Sequence, residues 1–217
     1  MMQKLLVLFM LVVLIACKKE KRYHDEIETS YLPVSDTTDF IYEVRKFQLE
    51  MNNDFKNPET SPLTEKQRKT FTGLDFFSPD SLYRVTALLN RTPDAVPFLM
   101  PTTTSRTPEY KKYGIVEFKL FDKTYQLNIY QNQELKLDPE YRDDLFLLFT
   151  DKTNGNQTYG GGRYVNLSIP KTDTIVIDFN RAYNPYCAYN KKYSCPKVPS
   201  ENHLALEVLA GVKSFKK

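Results

Sequence analysis

From Tyr83 onward the chain changes character every second residue, and that period of two most narrows the folds open to it. Tyr83, Val85, Ala87 and Leu89 alternate with polar neighbours, as do Val116, Phe118 and Leu120, then Tyr125, Leu127 and Ile129. Successive side chains of a β-strand point to opposite faces, so each run predicts a strand with one side in a core. Residues 145–150, 164–169 and 174–179 predict further strands, and Leu204, Leu206, Val208, Ala210 and Val212 a final alternating one. The two runs flanking Asp122-Lys123 predict a hairpin with a tight turn, although no glycine stands there. Roughly eight short strands joined by turns predict a mainly β (α+β) fold, an antiparallel barrel or sandwich.

Ahead of the strands the period is helical. Phe40, Val44, Phe47 and Met51 recur at turn spacing, with Arg45, Lys46, Glu50 and Asn52 between them. This predicts an N-terminal amphipathic helix, capped by Asp36 and stopped by Asn57-Pro58. Ser61-Pro62 has the form of an N-cap followed by proline in the first turn, opening a short helix that ends near Gly73. No repeat and no linker divides the strand region, so residues 36–217 are expected to form a single domain.

The first residues have a different purpose. Lys4 precedes an apolar run over residues 5–16 that ends in Leu14-Ile15-Ala16-Cys17. The run is shorter than the ~20 apolar residues of a membrane-spanning helix and has the length of a signal-peptide core. Its end resembles the lipobox of bacterial lipoproteins. That resemblance implies that residues 1–16 are a signal peptide, that Cys17 is lipidated, and that residues 17–35 tether the domain to a membrane. Lys18 follows the cysteine in place of the aspartate that retains lipoproteins at the inner membrane. The expected location is therefore the cell envelope, facing the periplasm, with the outer membrane favoured. The net charge is +3, and +2 without Lys4, too mild for a nucleic-acid partner. The sequence names no protein partner.

Two segments carry the candidate chemistry. Four of the chain's seven glycines lie between Asn154 and Arg163, so ordering so many there has a reason. Gly160, Gly161 and Gly162 could form a backbone nest for an anion, with Arg163 adding a bidentate donor and Tyr159 beside them. The alternative is a tight connection between strands, with Arg163 paired to a carboxylate such as Asp178. The second segment, residues 178–190, is rich in asparagine and tyrosine. Asn180, Tyr183 and Asn184 could line a polar pocket with aromatic walls, or pin an irregular loop to itself. Asp178 and Glu201 are the candidate catalytic pair for a hydrolase or lyase. Cys187 and Cys195 are expected to form a disulfide, since exported chains meet an oxidising compartment. A metal site using both cysteines and His203 is the sharper alternative, but no C-x-x-C pair supports it, and neither metal nor cofactor is expected.

Taken together, residues from about Phe40 to Lys213 resemble the family catalogued as domain of unknown function 1684. The resemblance rests on Ser61-Pro62-Leu63, on Gly73-Leu74 followed by Phe76-Phe77, and on Phe149, Asp151, Thr153 and Gly155. It continues through Thr158 to Tyr164, Asp178 to Asn190, Cys195-Pro196 and Glu201-Asn202. His203 and Val212 depart from the family's usual arginine and glutamate. The resemblance implies a shared fold and no known reaction. The expected function is binding of a small anionic or polar ligand in the envelope, with a carboxylate- or metal-dependent enzyme and a structural module as alternatives.

Overall fold

The computed structural model describes residues 37–216, so the signal segment, Cys17, the tether and the Asp36 cap lie outside the described residues. Helix α1 (Thr37–Lys56) follows the predicted apolar stripe, with Val44 fully buried and Phe55 nearly so. Helix α2 (Glu65–Lys69) begins later than Ser61-Pro62 predicts. Thr64 caps it: its hydroxyl accepts from the Gln67 N–H, and the Gln67 side chain accepts from the Thr64 N–H. The Ser61 hydroxyl instead donates to the Phe55 carbonyl at 2.6 Å, satisfying one of the acceptors left open at the end of α1.

Eight strands follow: β1 (Arg84–Arg91), β2 (Phe98–Leu99), β3 (Glu109–Leu120), β4 (Lys123–Asn132), β5 (Asp144–Asp151), β6 (Arg163–Ser168), β7 (Thr174–Asp178) and β8 (His203–Leu204). They build one sheet in the order β6-β5-β4-β3-β1-β7, with β2 added to β3 and β8 added to β5. Every pairing is antiparallel except that of β5 with β8. The sheet curls into a mostly antiparallel half-barrel. Leu89, Val116, Phe118, Ile129, Leu147 and Ile177 fill the main core. A second, smaller cluster of Met100, Tyr110, Tyr130, Leu148 and Tyr164 collects the residues that alternate with them on β4, β5 and β6.

Leu120 pairs with Lys123, so the β3–β4 loop is Phe121-Asp122, one residue earlier than the sequence suggests. A two-residue hairpin needs a left-handed residue, and without glycine that position falls to Phe121 at φ 54°. Its ring packs edge-on against Tyr83, with centroids 5.7 Å apart.

The last alternating run is a strand only over His203–Leu204. Beyond it Val208 and Ala210 are buried because the segment enters the main core. Its strand-like pairing is confined to one isolated antiparallel bridge, Val212 with Phe76; the Val208 N–H donates to Asp151, and the Val212 N–H to the Ala182 carbonyl. Any extended chain with one side in a core alternates in this way, which is why the pattern alone predicts a strand.

Candidate functional site

Arg163 opens β6 with its side chain wholly enclosed, as is that of Asp151 at the end of β5. Nη2 of Arg163 donates to Asp151 Oδ2 at 2.8 Å and to the Val208 carbonyl at 2.9 Å, and Nη1 donates to the Ala210 carbonyl. The other Asp151 oxygen accepts from the Thr153 N–H and hydroxyl and from the Val208 N–H. Burial pushes the guanidinium pKa down and Asp151 opposes the shift. The arginine therefore lies in the core, paired with Asp151 rather than Asp178, and it turns no donor toward solvent.

The glycines before it serve the same junction. Gly162 has φ +89°, and a Cβ there would stand 2.6 Å from the Phe149 carbonyl and 2.5 Å from Val198. Its N–H closes a turn on the Tyr159 carbonyl. A Cβ on Gly161 would meet the Tyr159 ring at 2.5 Å, whereas Gly160 has only ordinary contacts.

The asparagines of the second segment are buried and internally bonded. Asn180 exchanges hydrogen bonds with the Asp80 backbone in both directions and also donates to Asp178. Asn184 donates to the Lys213 carbonyl and the Tyr189 hydroxyl. Asp178 caps the turn after β7 and accepts from the Asn180 N–H. Glu201 accepts weakly from Asn128 and Tyr130, on β4. These two carboxylates share no partner: Asp178 ends β7, whereas Glu201 lies in the turn before β8 against β4, and β1 and β3 stand between β7 and β4 in the sheet order. His203 bonds to Thr150 through Nδ1. Among the described residues no three His, Cys, Asp or Glu side chains gather as metal ligands.

Tyr183 has a different setting. It lines a cleft of about 430 Å³ between α1 and the outer side of β5 and β6. Phe47, Met51 and Phe55 form the helical wall, and Phe146, Tyr164 and Tyr186 are among the residues opposite. Polar atoms enter at few places. The Tyr183 hydroxyl donates to Asn166 Oδ1 at 2.7 Å, and Asp54 and Cys195 also line the cleft. Phe146 stacks edge-on against Tyr164 at 4.7 Å, and Tyr164 against Tyr183 at 5.8 Å, so the floor is a series of locked rings. Burial raises the pKa of the Tyr164 and Tyr183 phenols well above their ordinary value, so both are neutral donors at physiological pH.

Cys187 and Cys195 stand as free thiols beside this cleft. The Cys187 N–H donates to Cys195 Sγ at 3.1 Å, and the Tyr159 hydroxyl lies 3.9 Å from Cys187 Sγ. Cys195 is buried and Cys187 half-buried. The hydrogen bond from the Cys195 thiol, then those from Tyr159 and Thr103, outweigh burial and lower the Cys187 pKa to about 6. Bonding to Cys187 and burial push the Cys195 thiol up.

Residues 69–213 match the family described as "Protein of unknown function (DUF1684)". The chain belongs to the DUF1684 family. Its fold is also that of a solved relative, the solution NMR structure of an uncharacterized protein from Haloarcula marismortui. That structure is 32% identical, covers 82% of this chain and 96% of its own, and superposes with a TM-score of 0.64. No curated protein matches the chain. Within this DUF1684 protein the sequence drew attention to Tyr183, to the Pro185-Tyr186 stretch of the same segment and, for a different reason, to Cys195, and missed the lining from α1, β5 and β6. Phe47 and Met51 belong to a helical stripe that reads as plain core, and Phe146 lies inside an apolar strand. The available signal was the excess of apolar residues on β5, where Phe146 and Leu148 lie on the face opposite Leu145 and Leu147.

Proposed function

We propose that the chain is a cell-envelope lipoprotein whose single domain, from Asp36 onward, binds a small ligand in the cleft beneath α1. The observation that carries this reading is the cleft itself: about 430 Å³, walled by aromatic rings, with few convergent polar groups. Ligand sites have this size and composition, roughly 300–1,000 Å³ and mostly apolar. The lining holds Asp54 and no cationic side chain. We therefore assign the cleft to a flat neutral or cationic ligand, in place of the anionic one expected from Arg163 and the glycines. Ring faces attract cations and stack on planar groups, while Asn166 and the Tyr183 hydroxyl would read a polar edge.

The test is a thermal-melt screen of the full chain in detergent against nucleosides, sugars, quaternary ammonium compounds, aromatic amines, anions and divalent metals. A ligand that binds only the folded state adds about 2.7 kcal/mol of stability at a hundredfold excess over Kd. The Met51→Trp variant fills the cleft and should abolish the shift while folding normally. A shift that survives this variant, or a shift with anions alone, would sink the assignment. The anchoring half of the reading is tested separately by labelled fatty acid: Cys17→Ser should lose both the label and the membrane association. A wild-type chain that takes up no label would overturn it.

A further inference from the structure

The two thiols stand in unlike surroundings, and the difference has a chemical use. Cys195 is held rigidly. Its N–H donates to the Thr103 hydroxyl at 3.1 Å, its carbonyl accepts from the Thr103 N–H at 2.9 Å, and its sulfur accepts from the Cys187 N–H. Cys187 sits on the single helical turn Tyr186–Ala188, after Pro185, with part of its surface open. The hydroxyl near its sulfur belongs to Tyr159, reached across the glycine turn. One accessible sulfur beside one enclosed sulfur is the arrangement that divides attack from resolution in dithiol chemistry.

We propose that Cys187 and Cys195 form a thiol–disulfide exchange centre, with Cys187 the attacking sulfur, Cys195 the resolving sulfur and a low-molecular-weight disulfide the oxidant. The Cys187 thiolate attacks one sulfur of the small disulfide, forming a mixed disulfide and expelling one thiolate. Cys195 then loses its proton and attacks Cys187 Sγ. The Cys187–Cys195 bond forms, and the bond to the second small thiolate breaks. Two cysteine thiols are oxidised and one disulfide is reduced to two thiols, which take up the two protons released. The reverse reaction reduces the protein. The lowered Cys187 thiol agrees with the direction of attack. The groups that act on it are the Cys195 thiol and the Tyr159 and Thr103 hydroxyls, with no carboxylate or cation among them. The centre does not depend on what the cleft binds.

The experiment uses the full chain with Cys17→Ser, which leaves two of the three cysteines. The protein is equilibrated with mixtures of oxidised and reduced glutathione, trapped by alkylation and weighed by mass spectrometry. Both thiols should disappear together and return together as the mixture becomes reducing. Adding Cys195→Ser should leave a glutathione adduct on Cys187. Adding Cys187→Ser instead should slow adduct formation at least tenfold. With Cys195 in place, Cys187 alkylation should be half-maximal at a lower pH than that of an ordinary thiol. Equal, slow modification of both single-thiol chains would overturn the proposal. So would a disulfide that reduced glutathione cannot open in the folded protein, which would be a structural staple. Thiols protected by copurified zinc or copper would also overturn it.

Discussion

Arg163 and Asp151 meet at 2.8 Å with neither side chain exposed to solvent, and the carbonyls of Val208 and Ala210 also accept from the guanidinium, while its Nε is buried without a partner. The pair joins the end of β5, the start of β6 and the C-terminal segment at a single point. The segment has little sheet pairing of its own past β8, so this junction holds it in the core. A charge so enclosed is tolerated because the guanidinium also donates to backbone carbonyls and the carboxylate also accepts from Thr153 and Val208, and it becomes a liability when one partner goes.

Removing either partner should therefore destabilise the domain strongly. Arg163→Ala leaves the Asp151 carboxylate and two carbonyls without the arginine's donors, and should cost about 3–5 kcal/mol in urea unfolding. Asp151→Asn keeps the shape but removes the charge, and should fall in the same direction. A loss below about 1 kcal/mol, the level of an exposed ion pair, would show that the junction does not hold the segment.

The glycine run can be separated into positions that need glycine and a position that does not. Gly162→Ala forces a Cβ against the Phe149 carbonyl at a left-handed φ, so it should lose stability by more than about 1 kcal/mol. Gly160→Ala meets only ordinary van der Waals contact, and should lie within about 0.5–1 kcal/mol of the parent, on either side. Melting curves of the two variants decide the matter. If both lost stability equally, backbone freedom across the whole run would be required, as in an anion nest.

The half-barrel was legible because its strands bury one face, and burial writes a period of two into Tyr83–Leu89, Val116–Leu120 and Tyr125–Ile129. The same period misleads at Leu206–Val212, where an extended segment enters the core without a partner strand. The hairpin turn slipped by one because Phe121, which no turn statistic favours, takes the left-handed position. Arg163 read either as a ligand donor or as a carboxylate's partner at a strand junction, because a lone sequence cannot distinguish an arginine at a surface from one sealed in a core. A signal was nevertheless present. With the glycines as the connection, β5 and β6 pair in antiparallel register, and Phe149 falls opposite Arg163. Asp151, two residues past Phe149, then lies on the same face as the arginine and within its reach. The cleft was illegible for a different reason: its walls come from α1, from the outer face of the sheet and from the Pro185-Tyr186 loop, and only the fold brings them together.

The buried tyrosines give the fold an alkaline limit. Desolvation raises the Tyr164, Tyr183 and Tyr189 phenols far above their ordinary value near 10, and raises Tyr130 to about 12. In the unfolded chain these groups ionise near 10, so above that pH the unfolded state binds fewer protons than the folded one. By linkage, stability is fully present below pH 10 and is lost as pH rises from there through 12 and beyond. The phenolate absorbance of the protein should therefore rise in two stages. The enclosed rings supply the later stage, in one cooperative step that coincides with loss of the far-ultraviolet β signal. A single smooth titration near 10, with the fold intact, would mean that Tyr164 and Tyr183 are open to water and that the cleft floor is not the locked array of rings described above.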